Sequence, residues 1–173
     1  MQKIIKTTIL FIFLFIIGIF YISLTRDTNY NTSSLINKDT PEFKIISFDE
    51  SNFYTREDIK RNDFTLINFW ASWCGPCRSE HTFLIQLQKE ENLKLLGVNF
   101  KDKKNKALEF LEELGNPYDL IAIDEFGKQS VNFGIYGIPE SIIINNDLVV
   151  LKKFIGPLNE TDLKMIKKIV EKR

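Results

Sequence analysis

The sequence predicts an α/β domain, its sheet parallel in part with an antiparallel edge, carried behind a single N-terminal transmembrane helix. Three observations predict it. The run from Thr7 to Leu24 contains no charged residue and is almost wholly Ile, Leu and Phe. Beyond residue 40, short β-prone runs alternate with helix-spaced ones in the order β-α-β-α-β and then β-β-α. Within that order the apolar run Leu66 to Trp70 hands Cys74-Gly75-Pro76-Cys77 to the start of a helix.

Taken from the N-terminus, the apolar run counts about 18 residues, the lower end of what spans a bilayer core of roughly 30 Å. Lys3 and Lys6 precede it, so the positive-inside rule keeps the N-terminus cytoplasmic and exports the remainder. A cleaved signal peptide is the competing reading. It calls for small residues near the cut, and Tyr21-Ile22-Ser23-Leu24 are too bulky to suit. The expected organisation is therefore an anchor (1–25), a tether rich in Asn, Thr, Ser and Asp (26–40), and a folded domain (41–173).

Within the domain, Phe43-Lys44-Ile45-Ile46 alternates and predicts a short first strand. Residues 49–63 read as a loop with a helical turn. Leu66 to Trp70 is a buried strand, and the helix after the cysteines sets Phe83, Leu84 and Leu87 on one face. Leu93 to Val98 is the next strand. Lys103 to Leu114 is a helix with Ala107, Phe110, Leu111 and Leu114 at helical spacing, stopped by Gly115-Asn116-Pro117. Leu120 to Ile123 is a third strand of this type, followed by a turn at Asp124 to Gly127. Ser141 to Ile144 and Leu148 to Phe154 flank Asn145-Asn146-Asp147, a hairpin signal. Asn159, with Asp162 three residues on, caps a last helix to about Val170.

The charge balance excludes one class of function. Lys plus Arg equals Asp plus Glu at 23 each, so a nucleic-acid partner has no electrostatic footprint to bind. The lysines at 101, 103, 104 and 106 read as solvated helix faces. Hydrophobic content of 44% is enough for a real core.

The chemistry sits in the two cysteines, which are too close in sequence to staple distant parts of a fold. A thiolate is the nucleophile of disulfide exchange, and a helix N-terminus favours an anion through its unpaired N–H groups and dipole. Cys74 at that position is the expected nucleophile. Cys77, one turn on, resolves the mixed disulfide. Pro76 falls in the first turn, where its missing N–H is tolerated. A zinc site needs about four ligands, and beyond the pair the chain offers only His81, so no metal is expected. The expected redox group is the Cys74–Cys77 disulfide itself, without a separate cofactor.

Asn68-Phe69-Trp70-Ala71-Ser72 before Trp73-Cys74-Gly75-Pro76-Cys77 resembles a thioredoxin-fold active site. Cys77-Arg78-Ser79-Glu80-His81, Gly97 to Asp102, Leu114 to Tyr118 and Gly134 to Ser141 together resemble the DsbE/CcmG proteins, membrane-tethered thiol:disulfide oxidoreductases of cytochrome c biogenesis. The resemblance implies a thioredoxin-like fold, a mixed β-sheet flanked by helices with a central insertion, and a cis peptide bond before Pro139. It places Trp73, Gly75, Pro76, Tyr136 and Pro139 at the substrate face or in support of it.

General thioredoxins carry a buried aspartate where this chain has Asn68, and an amide cannot accept the proton of Cys77. The resemblance puts Glu80 and Glu140 in its stead, as proton acceptor or as groups tuning the thiols. Nearby carboxylates disfavour a thiolate and so favour a reducing poise. Surface acids are the plain alternative for both, half-buried packing for Tyr136, and core packing for Trp73. His81 reads as structural or surface, and Arg78 as a solvated charge. The implied function is a reductant tethered to the inner membrane with its domain in the periplasm. It keeps the haem-binding cysteines of apocytochrome c reduced, directly or through a partner thiol protein, and is recharged by a membrane reductase resembling DsbD or CcdA. The alternatives are a general periplasmic reductase of ResA/TlpA type and a non-catalytic module that holds apocytochrome.

Overall fold

The computed structural model describes residues 2–24 and 35–171, and the chain divides into two compact units, 1–31 and 32–173. The first is the helix α1 (Gln2–Leu24). Its segment Ile4–Ser23 is 20 residues long with a mean hydropathy of 2.4, long and apolar enough to cross a membrane. Its large apolar side chains from Ile4 to Ile22 are exposed, and a helix apolar all round calls for an apolar surrounding.

The second unit is built on one seven-stranded mixed sheet. In chain order its elements are β1 (Lys44–Ser47), β2 (Phe53–Thr55), α2 (Arg56–Ile59), β3 (Phe64–Trp70), α3 (Gly75–Leu87), β4 (Leu93–Phe100), α4 (Lys104–Leu114), β5 (Leu120–Asp124), α5 (Lys128–Asn132), β6 (Glu140–Asn145), β7 (Val150–Ile155) and α6 (Glu160–Val170). The strands lie in the order β2-β1-β5-β4-β3-β6-β7. The β3-β4-β5 run is parallel, and β6, β7, β1 and β2 are antiparallel to their neighbours. A sheet order β4-β3-β6-β7 with α3 and α6 is the thioredoxin-like core. The unit α4-β5 is inserted between β4 and α5 and extends the sheet beyond β4; the resemblance implied a central insertion without placing it.

Period-2 alternation along β3 decides what each side of the sheet receives. Ile67 and Phe69 join Phe43, Leu96, Val98, Phe133 and Ile142 on one face. Leu66 and Trp70 join Leu84, Leu87, Phe110 and Ile166 on the other, beneath α3, α4 and α6. Asn68 shares the parity of Leu66 and Trp70, so the strand aims a polar side chain up at α3. It is fully buried there.

Three differences from the sequence reading have local causes. The segment 49–63 holds a paired strand as well as a helical turn: β2 adds to β1 and Thr55 opens α2 in a capping box with Asp58. Three residues are too few to show a period. The short helix α5 was not foreseen. Asp124 organises it, accepting from the Ser130 backbone N–H at 2.7 Å and its hydroxyl at 2.6 Å. Residues 37–40, assigned to the tether, are instead laced to the sheet. Asn37 N–H donates to Val150 O at 2.8 Å and Thr40 N–H to Leu148 O at 2.7 Å. Residues 26–34 of the expected tether lie outside the described residues.

Candidate active site

Strand β3 delivers residues 71–74 to the start of α3, and Cys74 is the N-cap of that helix. Cys74 and Cys77 form a disulfide, and the Cys77 backbone N–H donates to Cys74 Sγ at 3.1 Å. That contact is one of the unpaired N–H groups of a helix start turned on sulfur. Both sulfur-bearing residues are buried, whereas Gly75 and Pro76 between them are exposed. A Cβ at Gly75 would meet nothing within 4 Å, so this turn faces open space.

Two loops brace the approach. Asp102, just after β4, accepts from the Ser72 N–H at 2.6 Å, the Ser72 hydroxyl at 2.8 Å and Asn99 Nδ2 at 3.0 Å. Trp73 remains 59% exposed, its indole N–H donating to Lys101 O at 3.1 Å. The indole is therefore tethered by its edge to this loop with much of its surface presented outward. Across the site the Ile138–Pro139 bond is cis, as the resemblance implies. Pro139 is buried, and its carbonyl accepts from the Gly156 N–H at 3.0 Å. Tyr136, three residues earlier, is 65% exposed.

Beneath the dithiol lies a buried polar chain. Glu80, one turn beyond Cys77 on α3, has no exposed surface. Its Oε1 accepts from Asn68 Nδ2 at 2.8 Å and its Oε2 from the Leu158 N–H, also at 2.8 Å. Asn68 Nδ2 also donates to Ser141 Oγ at 3.0 Å, and Asn68 Oδ1 accepts from the Tyr118 hydroxyl at 2.7 Å. The amide is thus oriented by its neighbours. Among the described residues no cation pairs with Glu80, and its carboxyl is pushed up to about 7 by desolvation, the two hydrogen bonds opposing. Burial likewise raises the Tyr118 phenol well above its ordinary range.

Glu140, at the start of β6, is buried in a different way. Its Oε2 lies 2.6 Å from Lys153 Nζ, and its Oε1 accepts from the N–H groups of Gly137 at 3.2 Å and Tyr136 at 3.4 Å. The two acids of the sequence reading therefore occupy separate settings, Glu80 among neutral donors and Glu140 in an ion pair under the cis-proline loop. His81 is buried, its Nε2 2.8 Å from Gly115 O and its ring edge-on to Phe110, with the imidazole pKa lowered by burial. Arg78 pairs with Glu113 at 2.6 Å on the surface. Among the described residues no three His, Cys, Asp or Glu side chains gather as a metal site.

Sequence reasoning gave no role to Tyr118, Ser141, Lys153 or Asp102. For Tyr118 a signal was present. Gly97 pairs with Asn68 across β3 and β4, and a Cβ there would come within 2.7 Å of the Tyr118 ring. A glycine inside a strand marks such a close approach. Lys153, one of two adjacent lysines in β7, gave no comparable signal.

Residues 36–170 match the Redoxin family. The thiol:disulfide interchange protein CycY of Rhizobium leguminosarum bv. viciae is 46% identical over 104 residues, 60% of this chain and 56% of that protein. The thiol:disulfide interchange protein DsbE of Allochromatium vinosum is 33% identical over 148 residues, covering 86% of this chain and 82% of its own. DsbE of Escherichia coli K12 is 38% identical over 128 residues, 73% and 69% of the two chains. A solved thiol:disulfide interchange protein of the thioredoxin family from Chlorobium tepidum TLS shares the fold with a TM-score of 0.65 at 23% identity, covering 78% of this chain and 96% of that one.

Proposed function

Since the chain belongs to the Redoxin family, and within it to the DsbE-type thiol:disulfide interchange proteins, we propose that it is the periplasmic reductant of cytochrome c maturation. Its reaction class is thiol:disulfide oxidoreduction, carried by the Cys74–Cys77 pair. The observation that carries the directional reading is the buried acid Glu80, one turn beyond Cys77 and pushed up to about 7.

In the reduced protein the Cys74 thiolate attacks one sulfur of a substrate disulfide. A Cys74–substrate bond forms, and the second substrate sulfur leaves with the bonding pair and takes up a proton. Cys77 then loses its proton and attacks Cys74 Sγ. The Cys74–Cys77 disulfide forms and the first substrate sulfur is released as a thiol. The substrate gains two electrons and two protons: the dithiol supplies both electrons, one proton is that released to solvent when Cys74 ionises, and the other is the Cys77 proton. Glu80 accepts the Cys77 proton, since an acid near 7 takes and releases protons at neutral pH. Glu140 tunes the thiols from the opposite side. Trp73, Tyr136 and Pro139 receive the substrate peptide, while Gly75 and Pro76 keep the approach open.

The substrate is the disulfide of an apocytochrome c Cys-x-x-Cys-His segment, met directly or through a partner thiol protein. Thioether formation with haem requires both thiols reduced. The helix α1 spans the inner membrane with the domain in the periplasm. That is an oxidising compartment, so electrons must return from a membrane reductase resembling DsbD or CcdA.

Complementation tests this reading. In a strain lacking its own reductant for this step, the full chain restores covalent haem on c-type cytochromes, Cys74→Ser does not, and dithiothreitol in the medium substitutes for the protein. Restoration by Cys74→Ser would favour a holding module and overturn the reductase.

A further inference from the structure

We propose that Lys153 is a positioning residue for the substrate-receiving loop, holding residues 134–139 in one conformation through two contacts from strand β7. The inference rests on the reductase reading and names a group that reading does not use. The Lys153 side chain is only 2% exposed. Its Nζ lies 2.6 Å from Glu140 Oε2 and donates to Gly134 O at 2.6 Å. The same carboxylate, through Oε1, accepts from the Gly137 and Tyr136 N–H groups. One ammonium and one carboxylate thus bind both ends and the middle of the segment. Two further N–H groups of the segment are also paired: Gly134 N–H bonds to Val131 O and Ile135 N–H to Ser130 O. What the clamp leaves outside is the Tyr136 side chain, with cis-Pro139 beneath.

Stability alone does not explain such a pair. Strands β6 and β7 are already laddered, Ile142 opposite Lys153 among others. Desolvating two charges offsets most of their attraction, so a buried pair is a poor stabiliser, and its best use is to select one arrangement among several. Gly134 sits at φ 65°, one of several backbone states open to glycine, so its own sterics do not fix the start of the loop. The loop carries no other charged side chain than Glu140 at its end, so Lys153 is its only ionic tie to β7.

The test uses the full chain in detergent micelles and two disulfide probes. One is a synthetic peptide bearing Cys-x-x-Cys-His as an internal disulfide. The other is hydroxyethyl disulfide, too small to engage Tyr136. For Lys153→Met, kcat/KM toward the peptide falls roughly tenfold or more, mostly through KM, because a misplaced receiving surface weakens orientation. The rate with hydroxyethyl disulfide stays near wild type. Tyr136→Ala costs the wild type peptide turnover and costs Lys153→Met little further, the non-additivity of residues acting as one unit. Lys153→Gln, which keeps a donor at similar reach, serves if the methionine variant does not fold and gives a smaller effect of the same kind. A peptide KM equal to wild type in a folded variant overturns this inference alone. So does an equal loss with both probes, which would place Lys153 in the fold or the thiols. A wild-type chain that reduces neither probe overturns the reductase reading and this inference together.

Discussion

Asn68 Nδ2 donates to Glu80 Oε1 at 2.8 Å, so the partner of the buried acid under the dithiol is an amide fixed on strand β3. A carboxylate at Asn68 would have faced a second carboxylate in a site without a cation. The amide instead leaves Glu80 as the single titrating acid of this pocket's hydrogen-bonded chain, able to hold or give up one proton near neutrality.

Stability should report that proton. Glu80 is raised from 4.5 to about 7 in the folded protein, so between those values the native state binds more protons than the unfolded chain. The stability contributed by this group is therefore fully present below about 4.5 and is lost as pH rises through about 7, by about 3 kcal/mol in all. His81 opposes this, since its lowered pKa makes the unfolded chain the greater proton binder in the acid range. Urea unfolding of wild type and Glu80→Gln from pH 4 to 8 separates the two. The difference between the proteins should carry the Glu80 slope, and parallel curves would contradict it.

Asn68→Asp should restore the pattern of general thioredoxins at the expense of stability here. It sets an acid against an acid at hydrogen-bond distance, and the two must share a proton or repel. Loss of roughly 1–3 kcal/mol is expected at pH 8, shrinking toward pH 5 as the pair takes up a proton. Denaturant melts at both pH values measure it.

Gly97→Ala should push the Tyr118 ring off its strand, because the new Cβ would sit 2.7 Å from ring carbons. Overpacking of this sort costs roughly 1–3 kcal/mol. Tyr118→Phe should cost a similar amount by a different route, leaving buried Asn68 Oδ1 without its donor. The double variant should cost less than the sum, since both break one contact. Chemical denaturation of the three proteins closes the cycle.

Asp102→Ala should loosen the approach to the dithiol. It removes the acceptor for Ser72 N–H, Ser72 Oγ, Asn99 Nδ2 and the Lys103 N–H. A loss of roughly 2–3 kcal/mol is expected for a charged acceptor of this kind. Amide exchange at residues 72–74 should quicken, while exchange in α6 should not.

The framework of the molecule could be read from residue order because periodicity reports burial. The β3 run, the α4 spacing, the 141–154 hairpin and the Asn159 cap each stand where their patterns put them. The cysteine pair was legible for the same reason: Cys-Gly-Pro-Cys at a strand-to-helix junction has a local meaning. What periodicity could not supply were partners far apart in sequence. Tyr118 meets Asn68 across 50 residues, and Leu158 meets Glu80 across 78. The β2 strand and α5 are too short to carry a period, and both depend on tertiary or side-chain contacts such as Asp124 with Ser130. Glu80 and Glu140 were named together, yet their neighbours separate them, one beside an amide and one beside Lys153.

The central claim is that Cys74 forms a transient bond to a maturation substrate and that Cys77 releases it. Cys77→Ser in the full chain, expressed with the cytochrome c maturation apparatus present, should accumulate one mixed disulfide through Cys74. Mass spectrometry should find its other half to be an apocytochrome c or a single partner thiol protein, and a reducing agent should release it. A broad spread of unrelated exported proteins on Cys74, or no adduct at all, would contradict the account.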